Sequence, residues 1–171
     1  DDGTPDGLTQ IDLTVKNEEI RGGNPDYSIS YYLNQLDADL GTNPLPGLYT
    51  NISNPQTVFV RGENINTGCV STTTLELIVN PLPVPITPPL QTVCDDDFDG
   101  FASFDFTGLD LIILGDQTGM DVSYHVSQPD ADAGDNALSS PYTNTEANTQ
   151  TIFIRLETVA TGCYATTTLD L

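Results

Sequence analysis

The chain has 171 residues, with 4 Lys and Arg against 25 Asp and Glu, and a formal net charge of −21 at pH 7. These few cations exclude a nucleic-acid-binding surface, since phosphate contacts require a basic face, and the negative charge opposes docking on an anionic membrane. The apolar run Leu111–Leu114 is far too short to cross a bilayer, so the sequence predicts no membrane insertion.

The sequence consists of two copies of one unit. The offset between matching segments is 93 residues at first and becomes 94 after one inserted residue. The matches include Asp6-Gly7 with Asp99-Gly100, Tyr49–Asn51 with Tyr142–Asn144, Gln56–Arg61 with Gln150–Arg155, and Thr67–Cys69 with Thr161–Cys163. We predict repeat 1 at residues 1–79, truncated at its N-terminus, a proline-rich linker at 80–89, and repeat 2 at 90–171, truncated at its C-terminus. The chain is thus interpreted as a segment of a longer array.

Alternating apolar and polar residues predict the same strands in each copy. In chain order, the predicted strands of the two copies are Gln10–Val15, Tyr27–Leu33, Thr57–Arg61 and Cys69–Val79, then Ala102–Phe106, Val122–Val126 and Thr151–Leu156. Short helical turns are expected at Lys16–Arg21, Leu109–Leu114 and Asp130–Gly134, each followed by or ending in glycine. The predicted fold is all-β: two tandem immunoglobulin-like antiparallel β-sandwich domains with short helical turns in loops.

The segment between the copies is rich in proline. Alternating prolines from Pro81 to Pro89 favour extended polyproline geometry, so we expect a semi-rigid spacer. Arg61 and Arg155 occupy equivalent positions, each with a Glu two residues later. We interpret these as structural ion pairs within a strand.

The sequence has three cysteines, an odd number, so in a secreted protein one of them would be left without a disulfide partner in this chain. The repeat predicts one cysteine at the start of a unit and one in its Thr-Gly-Cys turn, so Cys94 and Cys163 form the complete pair. We predict a Cys94–Cys163 disulfide worth roughly 4 kcal/mol and an extracellular location. Three buried free thiols, or a Cys69–Cys94 bridge across the linker, are the alternatives.

The segment Asp95–Gly100 places carboxylates at alternate positions before a glycine, as in the first half of an EF-hand calcium loop. Asp95, Asp97 and Asp99 are the predicted calcium ligands, joined by the Phe101 carbonyl and Asp105. The counterparts in the first copy are Asp2, Thr4 and Asp6, in a loop one residue longer and poorer in charge. A solvated acidic turn without a cation is the alternative.

Both copies resemble the tandem repeats of very large cell-surface proteins of flavobacteria, of the SprB-type gliding adhesin class. The residues that carry the resemblance are Cys94–Gly100, Val122–His125, Asp130–Gly134, Asn136–Asn144, Gln150–Arg155, Thr161–Cys163 and Leu77–Pro83. The resemblance implies export by the type IX secretion system, display on the outer cell surface, and a role in adhesion and gliding. It also implies neighbouring repeats of the same chain, and a surface polysaccharide or substratum, as partners.

No catalytic pattern stands out in the sequence, and the single histidine, His125, corresponds to Tyr32 in the other copy. We therefore expect a non-catalytic structural stalk. A calcium-dependent carbohydrate-binding module and an accessory domain of an extracellular enzyme are the alternative functions.

Overall fold

The computed structural model describes residues 6–171, and the chain divides into two compact units. Unit 1 ends at Pro81 and unit 2 comprises Leu82–Leu171. Both are built from antiparallel strands with a few short helices, which confirms the predicted all-β tandem fold. The division after Pro81 differs from the expected boundaries, because the proline-rich segment belongs to unit 2.

The described part of unit 1, from residue 6 onwards, contains five strands in two sheets. Its two-stranded sheet pairs β1 (Gln10–Asp12) with β3 (Leu48–Thr50). Its three-stranded sheet has the order β2-β4-β5, formed by β2 (Tyr27–Tyr32), β4 (Gln56–Asn64) and β5 (Val70–Leu77). Five strands are fewer than the seven of an immunoglobulin constant domain, so each unit is a reduced sandwich.

Unit 2 repeats this arrangement. Its two-stranded sheet pairs β6 (Ser103–Phe104) with β8 (Tyr142–Thr143). Its three-stranded sheet has β9 (Thr151–Thr158) between β7 (Met120–His125) and β10 (Tyr164–Asp170). The sequence repeat is therefore a repeat of topology.

Within residues 6–171, four short α-helices interrupt the strands: α1 (Asn17–Arg21), α2 (Gln35–Leu40), α3 (Leu109–Leu114) and α4 (Gln128–Ala133). A 3-10 helix at Leu13–Lys16 precedes α1, so the strand predicted at Gln10–Val15 ends at Asp12. The helical turns expected near α1, α3 and α4 are confirmed. In α4, the Ser127 hydroxyl accepts a hydrogen bond from the backbone N–H of Asp130, and Gly134 ends the helix with φ 72°. Helix α2 was not predicted, although Asn34 caps it in the same way.

Each unit has its own apolar core. In unit 2 the central strand β9 buries Ile152, Ile154 and Leu156 at alternate positions, as expected for a strand with one face towards a core. Phe106 stacks on Tyr124 in this core, with ring centroids 4.6 Å apart. Unit 1 has a separate cluster that includes Leu13, Val58 and Val60.

The proline-rich segment is an integral part of unit 2. The N–H of Ile86 donates to the carbonyl of Ile113 in α3 at 3.0 Å, and the Thr87 and Thr167 hydroxyls are 2.6 Å apart. Gln91 N–H then donates to the Asp170 carbonyl at 3.0 Å. The segment therefore runs along the edge of β10 in the same direction as that strand.

None of the helices between residues 6 and 171 is both long and apolar enough to cross a bilayer.

Candidate functional site

The acidic loop of unit 2 brings three carboxylates together. One oxygen each from Asp95, Asp97 and Asp99 lies within 4.8 Å of the others. Asp95 Oδ2 accepts the N–H of Gly100 at 2.8 Å, and Asp95 Oδ1 accepts the N–H of Phe98 at 2.9 Å. These bonds curl the backbone around the Asp95 carboxylate, and the alternate carboxylates converge on one side of the loop.

Glycine is required where this loop closes. Gly100 has φ 84°, and a Cβ at this position would lie 2.9 Å from the Cβ of Ala147. The left-handed conformation and the close approach of a neighbouring loop both exclude a side chain there. This explains the Asp-Gly pair that both copies share.

The electrostatics of the loop follow from its geometry. The N–H of Gly100 stabilises the charged carboxylate of Asp95 and lowers its pKa. The N–H of Asp99 has the same influence on Asp97, but partial desolvation and repulsion from Asp99 and Asp95 outweigh it, so the pKa of Asp97 is raised. A divalent cation would relieve this repulsion between carboxylates.

Asp105 does not join the three carboxylates. Asp105 Oδ1 accepts the Thr107 hydroxyl at 2.5 Å and the Ser140 hydroxyl at 3.1 Å. These hydrogen bonds lower the pKa of Asp105. These bonds belong to the turn after β6, which accounts for the position of the Asp105 side chain.

Phe101, whose carbonyl is a predicted calcium ligand, follows the three carboxylates directly. Its N–H donates to Asp99 Oδ1 at 2.8 Å.

The first-copy counterpart of the loop is described only in part. Asp2 and Thr4 lie outside residues 6–171. Asp6 Oδ1 accepts the N–H of Leu8 at 2.8 Å, which is the turn that Asp99 makes with Phe101 in the second copy.

A buried amide that was not predicted from the sequence holds the acidic loop. Asn144 donates to the Gly100 carbonyl at 2.9 Å and accepts the N–H of Ala102 at 2.6 Å. Asn51 makes the equivalent bond to the Gly7 carbonyl at 2.8 Å. The signal was present as the repeated Tyr-Thr-Asn, but a buried structural amide cannot be distinguished from a surface turn residue by pattern alone.

The structure does not support the predicted Cys94–Cys163 disulfide, and Cys69, Cys94 and Cys163 are all free thiols. The carbonyl of Cys163 accepts the N–H of Thr158 at 2.8 Å in the β9–β10 turn. Cys94 lies at the other end of the unit, three residues beyond Gln91, which bonds to the end of β10. The strand from Tyr164 to Asp170 spans about 20 Å, whereas disulfide-bonded Cα atoms are within about 7 Å.

The predicted Arg–Glu pairs are confirmed. Arg155 lies 2.7 Å from Glu157, and Arg61 lies 3.1 Å from Glu63. The Arg155 guanidinium also donates to the Ala131 carbonyl at 2.9 Å, so it ties α4 to the sheet.

Comparison with known families decides the membership of the chain. The model of the Flavobacterium inter-domain disulphide bond domain matches twice, at residues 1–83 and 89–171. The chain belongs to this family. One match falls on each unit, with residues 84–88 of the proline-rich segment outside both. A family named for a disulphide between domains indicates an extracellular tandem-domain protein. No curated protein and no solved structure matches the chain.

Proposed function

We propose that the two units are non-catalytic spacer repeats of a large flavobacterial cell-surface adhesin, exported by the type IX secretion system and used in adhesion and gliding. Duplication of a whole unit supports a role in length and presentation. The strong negative charge keeps long arrays soluble and apart. The single histidine of the sequence, His125, supports a core rather than a catalytic role: it is buried, 2.9 Å from the Ser123 hydroxyl and 2.7 Å from the Asp135 carbonyl.

The observation that carries the proposal is the placement of the cysteines at opposite ends of a unit. Val84 bonds to Gln117, and the neighbouring Gly119 accepts the N–H of Val159 beside the β9–β10 turn. The chain therefore enters unit 2 at the end that carries Cys163. Strand β10 leaves it at the end that carries Cys94. Unit 2 therefore carries one thiol at its entry, Cys163, and one at its exit, Cys94, and Cys69 is the counterpart of Cys163 in unit 1.

This arrangement suits disulfides that connect one unit to another, which agrees with the family description of an inter-domain disulphide bond. We propose that the cysteine that opens one unit bonds to the turn cysteine of the unit that follows. In this scheme Cys94 bonds to a cysteine of the following unit, and Cys69 and Cys163 each bond to a cysteine of the preceding unit. Such bonds would limit bending of the array under tension.

Peptide mapping tests the pairing in a chain with one cysteine added directly before Asp1, at the position equivalent to Cys94. After oxidation we expect a disulfide between the added cysteine and Cys163, with Cys69 and Cys94 left unpaired within the monomer. A serine at the added position is the matched control and should leave Cys163 reducible. A bond from Cys94 to Cys163, or from the added cysteine to Cys69, would contradict the proposal.

We also propose that Asp95, Asp97 and Asp99 bind calcium, with the Phe101 carbonyl as a further ligand. The support is the convergence of three hard oxygens, the ligand type that calcium prefers. We expect a dissociation constant on the order of 1 mM, typical of extracellular sites. At 10 mM calcium the stabilisation of unit 2 is then about 1.4 kcal/mol.

Calorimetric titration and thermal melting with calcium or chelator measure this effect. Asp97→Asn should abolish both the heat of binding and the increase in Tm. Asp132→Asn, which removes one charge from α4, is the matched control and should retain both. Equal responses in the two variants would refute the site.

The acidic loop also favours one alternative, a calcium-dependent carbohydrate-binding module. A lectin would bind glycans on an array and release them in chelator. A spacer would give no glycan signal under either condition.

A further inference from the structure

Unit 1 contains a cleft of about 280 Å³ between α1 and the three-stranded sheet, lined by apolar side chains together with Arg21 and hydroxyl groups of β5. Its walls include Ile20, Ile29, Val60 and Thr73. The corresponding residues of unit 2 are Ile113, Val122, Ile154 and Thr167. The surface of unit 2 formed by these corresponding residues is covered by another segment of the chain.

In unit 2 this place is occupied by the proline-rich segment, residues 82–91. Ile86 N–H bonds to the Ile113 carbonyl at 3.0 Å, and Thr87 contacts Thr167 through their hydroxyls at 2.6 Å. Gln117 makes two bonds to the backbone of Val84, at 3.0 and 2.8 Å. The segment is thus held by backbone and side-chain bonds along its length.

Burial differs between the units where this segment lies. Ile113 and Leu169 are fully buried in unit 2. Their counterparts in unit 1, Ile20 and Leu75, are only half-buried. Partly exposed apolar side chains whose counterparts are fully covered in the other unit indicate a missing packing partner.

Two equivalent glycines show the same difference. A Cβ on Gly115 would lie 2.9 Å from Cδ1 of Ile86, whereas a Cβ on Gly22 would meet nothing within 4 Å. Unit 1 has Gly62 at the position where unit 2 has Leu156. The missing side chain accounts for part of the cleft volume, since a Cβ on Gly62 would lie 3.7 Å from Cδ1 of Ile29. It does not explain the open space at Gly22, which lies at the end of α1.

We infer that the cleft of unit 1 is a binding site for an extended, proline-rich segment with the sequence pattern of residues 82–91. In the array of the proposed function, on which this inference rests, that segment is the linker entering the unit. Each unit is then completed by the linker that precedes it. The linker acts as a structural element of the fold rather than as a tether.

The test fuses a second copy of residues 82–94, with serine replacing Cys94, directly before Asp1. Hydrogen exchange measured by mass spectrometry reports on β5, the strand that the fused segment would cover. We expect amide exchange in β5 to slow at least tenfold and the Tm of unit 1 to rise. The same fusion with Ile86→Gly and Pro88→Gly in the added copy is the matched control and should leave both unchanged.

A second variant separates the binding site from a simple packing defect. Gly62→Leu supplies the side chain that unit 2 has at Leu156, where side chain and linker coexist. We expect the fusion to protect β5 in this background as well. Equal exchange in the intact and control fusions, or protection that disappears with Gly62→Leu, would overturn the inference.

The two proposals fail separately in these experiments. The fused segment contains no cysteine, so protection of β5 does not depend on any disulfide. Protection without the expected cysteine pairing would refute the disulfide alone. The expected pairing without protection would refute the cleft alone.

Discussion

Replacing Ile154 with alanine is expected to lower the free energy of unfolding of unit 2 by about 3 kcal/mol. Ile154 is fully buried in the central strand of the sheet, in the core that includes Ile152 and Leu169. The loss combines the transfer free energy of the removed methyl groups with the cavity that remains. Hydrogen exchange resolved by segment measures the stability of each unit in the intact chain.

The equivalent change in the first unit is the matched control. Val60→Ala removes a smaller buried side chain from the separate core of unit 1, so a loss of about 2 kcal/mol is expected there. Because each unit has its own core, Ile154→Ala should accelerate exchange in residues 82–171 alone. Equal acceleration in both halves would show one shared cooperative core and would contradict the two-unit fold.

Replacing Arg155 with alanine is expected to destabilise unit 2 by about 3 kcal/mol, comparable to breaking a buried ion pair. Its guanidinium donates to the carbonyls of Ala131 and Asp132, both at 2.9 Å, and contacts Glu157 at 2.7 Å. It also lies 3.5 Å from the centroid of the Tyr164 ring. Removing it takes one donor from each of these two carbonyls, although that of Ala131 keeps the N–H of Gly134 at 3.3 Å, and it weakens the attachment of α4 to β9.

Chemical denaturation of the full chain measures this loss, and two variants calibrate it. Glu157→Gln alters a partly exposed partner and should cost less than about 1 kcal/mol. Arg155→Lys keeps the charge but not the planar fork, so it should retain only part of the stability. A loss no greater for Arg155→Ala than for Glu157→Gln would show that the carbonyl bonds contribute little.

Arg61 holds the equivalent helix in the first unit. Arg61 donates to the carbonyls of Ala38 and Asp39 in the same way. The position of Tyr164 is occupied by Val70 in this unit. We expect a smaller loss for Arg61→Ala, because the ring contact worth about 1 kcal/mol is missing.

Much of the fold could be predicted because its signals are local. The period-two pattern of Thr151–Leu156 is the same whatever the strand packs against. Gly115 ends α3 by adopting a positive φ of 55°, and this conformation depends on the glycine alone. Helix α2 was missed because it has Leu36 where α4 has Pro129, so it lacks the proline that marks the first turn of α4. The Asp95 cluster was predicted because its ligands lie within five residues of sequence.

The sequence by itself determined the repeat, the strand-rich fold, the Arg–Glu pairs and the acidic loop, since each depends on neighbours along the chain or on matched positions between the copies. Only the tertiary structure decided which end of a unit carries each cysteine and where residues 82–91 lie. Those outcomes depend on the direction in which the proline-rich segment runs beside β10. That direction is set by hydrogen bonds between residues about 80 apart, such as Thr87 with Thr167, and leaves no periodic trace in the sequence.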